Sequence, residues 1–157
     1  MADIFLKIDG IRGESKEFGH VDEIEVISWA WNIHVDSRYL SGAGGGAGKA
    51  SVGDIEIVHM IDCSSPNLMR YALKGTPIPK AILTMRKSGG SPLDFQKFTL
   101  ENVRITGVNP LGSGGTYIEN VRLSFAKVKQ EYTIQNAMGG SNGVITAAFD
   151  LRENREA

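Results

Sequence analysis

The chain has 157 residues, with 17 basic and 18 acidic side chains and a single cysteine, Cys63. That length suits one domain with a sizeable core. The near-balanced charge argues against nucleic acid as the main partner, and one cysteine excludes an internal disulfide.

The first segment, residues 3–9, alternates Ile4, Leu6 and Ile8 with Phe5, Lys7 and Asp9, the period of a half-buried strand. Gly10, Gly13 and Gly19 punctuate turns before a second strand over residues 23–31. There Ile27, Trp29, Trp31 and Ile33 form an apolar stripe, and Ser28, Ala30, Asn32 and His34 form a small or polar one. Two tryptophans are too large and apolar for water, so the first stripe is expected to face the core. Ser28, Ala30 and Asn32 then face water or a lumen. Residues 39–50 form an extended Gly-rich loop. Residues 52–61 read as a strand with Ile55, Ile57 and Ile61 on one face, beside His59, and Val58 and Met60 on the other. Apolar groups on both faces call for cover from another layer or another subunit, which makes Val58 and Met60 candidate interface residues.

One helix is predicted from Pro66 to about Lys74. Ser65 can cap it, Pro66 suits its first position, and Gly75 suits its left-handed stop. Leu68, Met69, Ala72 and Leu73 share a face. Strands follow at about residues 82–87, 93–108 and 117–134. The apolar parity shifts from Leu93/Phe95 to Phe98/Leu100 to Val103/Ile105, and again between Phe125 and Val128. Such shifts mark bulges, and bent strands are what a closed barrel needs. A last strand, 144–151, presents Ile145, Ala147, Phe149 and Leu151 together, and the charged residues 152–157 are expected to fray. The expected fold is one mainly β domain over residues 1–157, a small closed barrel of two packed antiparallel sheets with one short α-helix.

The chemistry-bearing patterns are weak. A phosphate-binding loop of the form G-x-x-x-x-G-K-[ST] would place a hydroxyl at Ala50 and a helix after it, yet the frame starts at Ala43 and a strand follows. His20, His34 and His59 lack the paired spacing of a zinc site. No G-x-S-x-G elbow is present, and no local residue activates Cys63. No catalytic residue, cofactor or metal is expected. Nor does any apolar run reach the roughly 18–20 residues of a membrane-spanning helix. Asp3 and the alternating strand stand where a signal peptide would have its basic and apolar regions, so a cytoplasmic protein is expected.

The order of several segments is more telling than any one of them. Residues 3–15 and 23–31 are followed by the loop Ser41-Gly42-Ala43-Gly44-Gly45-Gly46-Ala47-Gly48-Lys49, by Ile61-Asp62 and Ser65-Pro66-Asn67-Leu68-Met69, and by Met85-Arg86-Lys87-Ser88-Gly89-Gly90. Glu119-Asn120-Val121, Leu123-Ser124-Phe125 and Tyr132 complete the series. In this order the chain resembles the Hcp family, the haemolysin-coregulated proteins of the bacterial type VI secretion system. Trp29-Ala30-Trp31-Asn32 stands where that family often has Trp-Ser-Trp-Gly, and Phe149-Asp150 where it often has Trp-Asp.

The resemblance implies a homohexameric ring that stacks into a hollow tube, with a spike protein at the tip, a contractile sheath around it and effector proteins in the lumen. It implies export without a cleavable signal. It makes residues 41–49 a loop docking on a neighbouring subunit or ring, and places Ser28, Ala30 and Asn32 on the lumen wall. A phage or pyocin tail-tube protein is the nearest alternative. A monomeric ligand-binding barrel is an alternative of another class, and a hydrolase a third. No nucleic acid and no membrane insertion are expected.

Overall fold

The period of two in the opening residues becomes β1 (Ile4–Ile8), with Leu6 and Ile8 in the core and Lys7 in solvent. The computed structural model that shows this describes residues 3–36, 50–87 and 92–157. After β1 come β2 (Ile24–Ala30), β3 (Ile33–His34), β4 (Ser51–Val52), β5 (Ile55–Met60) and α1 (Ser65–Lys74). Then follow β6 (Ile78–Lys87), β7 (Leu93–Ser113), β8 (Thr116–Ser124), β9 (Lys127–Gln135), β10 (Ser141–Asp150) and β11 (Arg155–Glu156).

The strands run β11-β10-β9-β7-β6-β1-β2-β5-β8, and β8 pairs again with β7. Strands β7, β6, β1, β2, β5 and β8 therefore close into an antiparallel barrel. Strands β9, β10 and β11 extend from it as a wing. β3 and β4 make a separate two-stranded sheet. Closure removes free edges, and the interior is filled by Leu6, Ile24, Ile57, Leu83, Leu100 and Leu123, all essentially inaccessible. Each such side chain contributes roughly 1.5–3 kcal/mol by leaving water.

Strand β7 makes this arrangement possible. Its first half pairs with β6 and β9, and its second half pairs with β8. The parity shifts read from the sequence fall where the register breaks. The pairing with β6 slips between Met85 and Arg86, leaving Phe95 without a register partner. Asn102 takes a left-handed φ of 55°, so Leu100 and Val103 both face inward. The shift after Phe125 is where the predicted strand 117–134 divides into β8 and β9.

Other expectations are corrected. The predicted strand 52–61 is two elements: Val52 pairs with Ile33, and β5 begins only at Ile55. Helix α1 is capped by Ser64, not Ser65, with no side-chain cap bond. Only Leu68 is buried in it, while Met69 and Leu73 point outward. Its stop is as predicted: Gly75 has φ 63°, and the N–H groups of Gly75 and Thr76 reach Ala72 O and Tyr71 O. The charged C-terminus does not fray. Arg155 and Glu156 pair with Asp150 and Phe149, and Asp150 Oδ1 accepts the N–H groups of Arg152 and Glu153 at 3.0 Å each.

Candidate assembly surface

The inward face of β5 carries Ile55, Ile57 and His59, so its outward face carries Glu56, Val58 and Met60. Cross-strand pairing sets their neighbours. Val58 stands opposite Ser28 of β2 and Asn120 of β8, and Asn120 opposite Asn109 of β7. Glu56 stands opposite Ala30 and Arg122, and the Arg122 guanidinium donates to its carboxylate at 2.8 Å. At the far end Met60, Ile118 and Leu111 stand side by side. The outer barrel wall thus grades from small and charged residues to an apolar row. Met60 and Leu111 are exposed, as are Ile61 and Tyr117 beside Met60 and Ile118 in the chain, and Ile27, which lines one surface hollow with Met60 and Ile61. An exposed apolar row such as Met60–Ile118–Leu111 is the kind of surface that interaction sites use.

Of the predicted residues, Ser28 and Ala30 fall on this wall, while Ile27, Asn32 and Ile33 depart from the expected stripes. Ser28 and Ala30 are exposed on one face, as the parity argument requires. Trp29 and Trp31 turn the other way and meet the Phe98 ring at 5.2 and 5.7 Å. Ile27 and Ile33 leave the predicted core stripe, Ile33 being 53 % exposed. The pairing of β2 with β5 slips between Val26 and Ser28, so Ile24 and Val26 face inward and Ile27 is 54 % exposed. Asn32 lies beyond the end of β2, where its carbonyl accepts the Gly53 N–H at 2.8 Å. It is exposed but is not a rung of the Ser28–Ala30 ladder. The candidate contact residues Ser41, Gly42, Ala43, Gly44, Gly45, Gly46, Ala47, Gly48 and Lys49 lie outside the described residues.

Behind the wall, His59 is fully buried. Its Nε2 lies 2.8 Å from Glu119 Oε1, and its Nδ1 3.8 Å from Asp62 Oδ2. Burial pulls the imidazole pKa down, but the nearby Asp62 carboxylate and the hydrogen-bonded Glu119 carboxylate outweigh this and hold it above its ordinary value. The pair ties β5 to β8 from inside, an arrangement that sequence spacing does not reveal because 60 residues separate the partners. His20 serves a different purpose. It stacks on Phe5 at 4.3 Å and bridges Glu23 and Asp94 at 2.9 and 3.0 Å. Cys63 is exposed and near the Arg12 carbonyl at 3.5 Å. Among the described residues no group of three or more His, Cys, Asp or Glu side chains is placed to hold a metal ion, and no helix is long and apolar enough to cross a membrane.

Residues 5–132 match the profile of the family described as "Type VI secretion system effector, Hcp". The chain belongs to the Hcp family. Hcp relatives match nearly all of its length. Protein hcp1 of Pseudomonas aeruginosa is 39 % identical over 159 aligned positions, 99 % of this chain and 98 % of that protein. The crystal structure of Hcp1 from Salmonella typhimurium is 47 % identical, with a TM-score of 0.83 and complete coverage of both chains. A type VI secretion system effector from Yersinia pestis is 37 % identical, covering 94 % of this chain and 99 % of that one, with a TM-score of 0.76.

Proposed function

We propose that this Hcp chain is a tube subunit. Six copies close into a ring and rings stack into a hollow tube. A contractile sheath expels the tube, a spike protein stands at its tip, and effector proteins travel in its lumen. The protein is made in the bacterial cytoplasm and exported by the type VI machinery itself. The observation that supports this reading is the outer wall of β2, β5, β8 and β7. Its Met60–Ile118–Leu111 row leaves large apolar groups uncovered in a single copy. A second copy covers them, and a ring uses two different patches of each copy. Ser28 and Ala30, small and weakly polar, suit a lumen wall that holds cargo and lets it go. Residues 41–49 make contacts with a neighbouring copy, so deleting 44–47 leaves the fold intact and weakens assembly. The work is structural: no catalytic step is assigned.

A barrel filled by its own side chains offers no room for a ligand, which disfavours the monomeric binding protein. Light scattering and negative-stain images test the reading. Rings with a central hole and several times the monomer mass are expected. A monomer at micromolar concentration would sink it. Appearance of the protein in the medium during type VI activity separates it from a phage or pyocin tail tube.

A further inference from the structure

Phe18 is 95 % exposed, yet the loop that carries it is firmly braced. The Arg86 guanidinium bonds Glu17 at 3.2 Å and reaches the Phe18 carbonyl at 3.5 Å. His20, one turn on, is clamped between Glu23 and Asp94. The backbone N–H groups of Gly13, Ser15 and Asp22 bond Asp22, Glu23 and Ser15 carbonyls. Under the loop lies Phe5, fully buried between the His20 ring and the Arg86 guanidinium, on the side of β1 opposite Leu6 and Ile8. An apolar ring held in water on a fixed loop has little further order to lose on docking, the condition for a strong anchor.

The same chain offers a socket. Trp31, Ile33, Phe125, Val128, Phe149 and Leu151 line an open pocket of about 560 Å³. Val128 belongs to the main core and Phe149 stands opposite it, so the pocket lies on the core-facing side of the β9–β10 wing. The lining continues into Tyr132 and Ile145, which pair across the wing and are uncovered. Anchor and socket therefore sit on opposite faces of one sheet and cannot meet within a copy. Their charges match: Lys16 precedes the anchor, and Glu156 lines a second pocket that adjoins the first and shares Trp31, Ile33, Val128 and Phe149 with it. Neither has an ion-pair partner among the described residues.

We propose that Phe18 of one copy inserts into the Trp31–Phe125–Phe149 pocket of a second copy, a head-to-tail contact. It deepens the tube reading, on which it rests for the identity of the partner. Because the two patches differ, each contact leaves a free anchor and a free socket, so the series runs on or closes into a ring.

The test uses the full chain with Cys63→Ser and the pair Phe18→Cys and Ile33→Cys. Mild oxidation is expected to give a ladder of dimers, trimers and higher multimers on a denaturing gel, which either single cysteine fails to give. No ladder, or dimers only, from a sample that light scattering shows to be assembled overturns the contact and leaves the tube reading standing. A wild-type chain that stays monomeric overturns both. Phe18→Ser gives a second arm. It should raise the concentration of half-assembly at least about tenfold with an unchanged melting temperature, and unaltered assembly would contradict the proposal.

Discussion

Ser28 and Val58 stand directly opposite each other across β2 and β5, so their side chains leave the sheet on the same side. The residues proposed to meet cargo and those proposed to meet a neighbour therefore share one wall, with Ala30 and Glu56 as the next rung. A substitution there is read out in assembly or export and not in folding. Ala30→Gln should shift stability by less than about 0.5 kcal/mol, as exposed substitutions do, while impairing export of a lumen-borne effector. Trp29→Ala, which strips a half-buried ring from Phe98, should cost about 2–3 kcal/mol, somewhat below a fully buried aromatic. Chemical denaturation of both variants checks the contrast. The reverse ranking would invert the assignment of faces.

At the other end of the wall, Met60→Glu or Leu111→Glu should dissociate the assembly without unfolding the subunit. Both side chains are already in solvent in one copy, so the free subunit does not bury the new charge. An interface does, and an unpaired buried charge costs about 3–5 kcal/mol, which is a factor of roughly a hundred to several thousand in affinity. Sedimentation across a concentration series measures it. Rings that persist with either glutamate place the interface elsewhere.

The barrel was legible because β7 advertises its bends. Each change of apolar parity in residues 93–105 answers to a bulge or a left-handed residue. The Ser28–Trp29 alternation gave the faces of β2 correctly, since a one-residue slip inverts a strand. The same rule explains the failure at Ile27: a bulge pairs it with nothing, and a lone isoleucine gives no sign of that. Met69 and Leu73 sit at helical spacing with Leu68, but α1 touches the barrel by one narrow face, so periodicity overstates what is buried. The His59–Glu119 and His20–Asp94 links join residues 60 and 74 positions apart, and only the folded topology brings them together.

The His59 cluster makes stability depend on pH in a defined direction. The folded-state pKa of His59 lies above its ordinary 6.5. Its contribution is therefore complete below about 6.5 and is lost as pH rises through the raised value. Asp62 is shifted down from 3.8: burial opposes the shift, but the nearby His59 imidazole and the hydrogen bonds from Ser64 outweigh it. Its contribution is present above that value and is lost as pH falls through the lowered one. The cluster should thus stabilise most between about pH 4 and 6.5. Urea midpoints measured from pH 5 to 9 should fall on the alkaline side. His59→Gln should flatten that fall and cost about 1–3 kcal/mol at pH 6, the cost of disturbing a buried hydrogen bond. An equal loss at pH 6 and pH 9 would show that the imidazole stays neutral.

Asp150 fixes where the chain ends. Its carboxylate accepts the Glu153 and Arg152 N–H groups and lies 3.9 Å from Lys127 Nζ, and these hold its pKa below the usual 3.8, the Glu153 bond first. The turn it closes returns β11 to pair with Phe149 and Asp150 itself. Phe149 is also a wall of the apolar pocket on the wing. Losing the carboxylate should therefore free the tail and loosen one side of that pocket, leaving the closed barrel untouched. Asp150→Ala should leave the cooperative melt in place. It should speed tryptic cleavage at Arg152 and Arg155 and amide exchange in residues 151–157. Tail protection that survives the substitution would show that the β10–β11 pairing suffices alone. Because Asp150 is held below its ordinary pKa, the same release should occur in the wild type at acid pH, as its carboxylate is protonated, and not at alkaline pH.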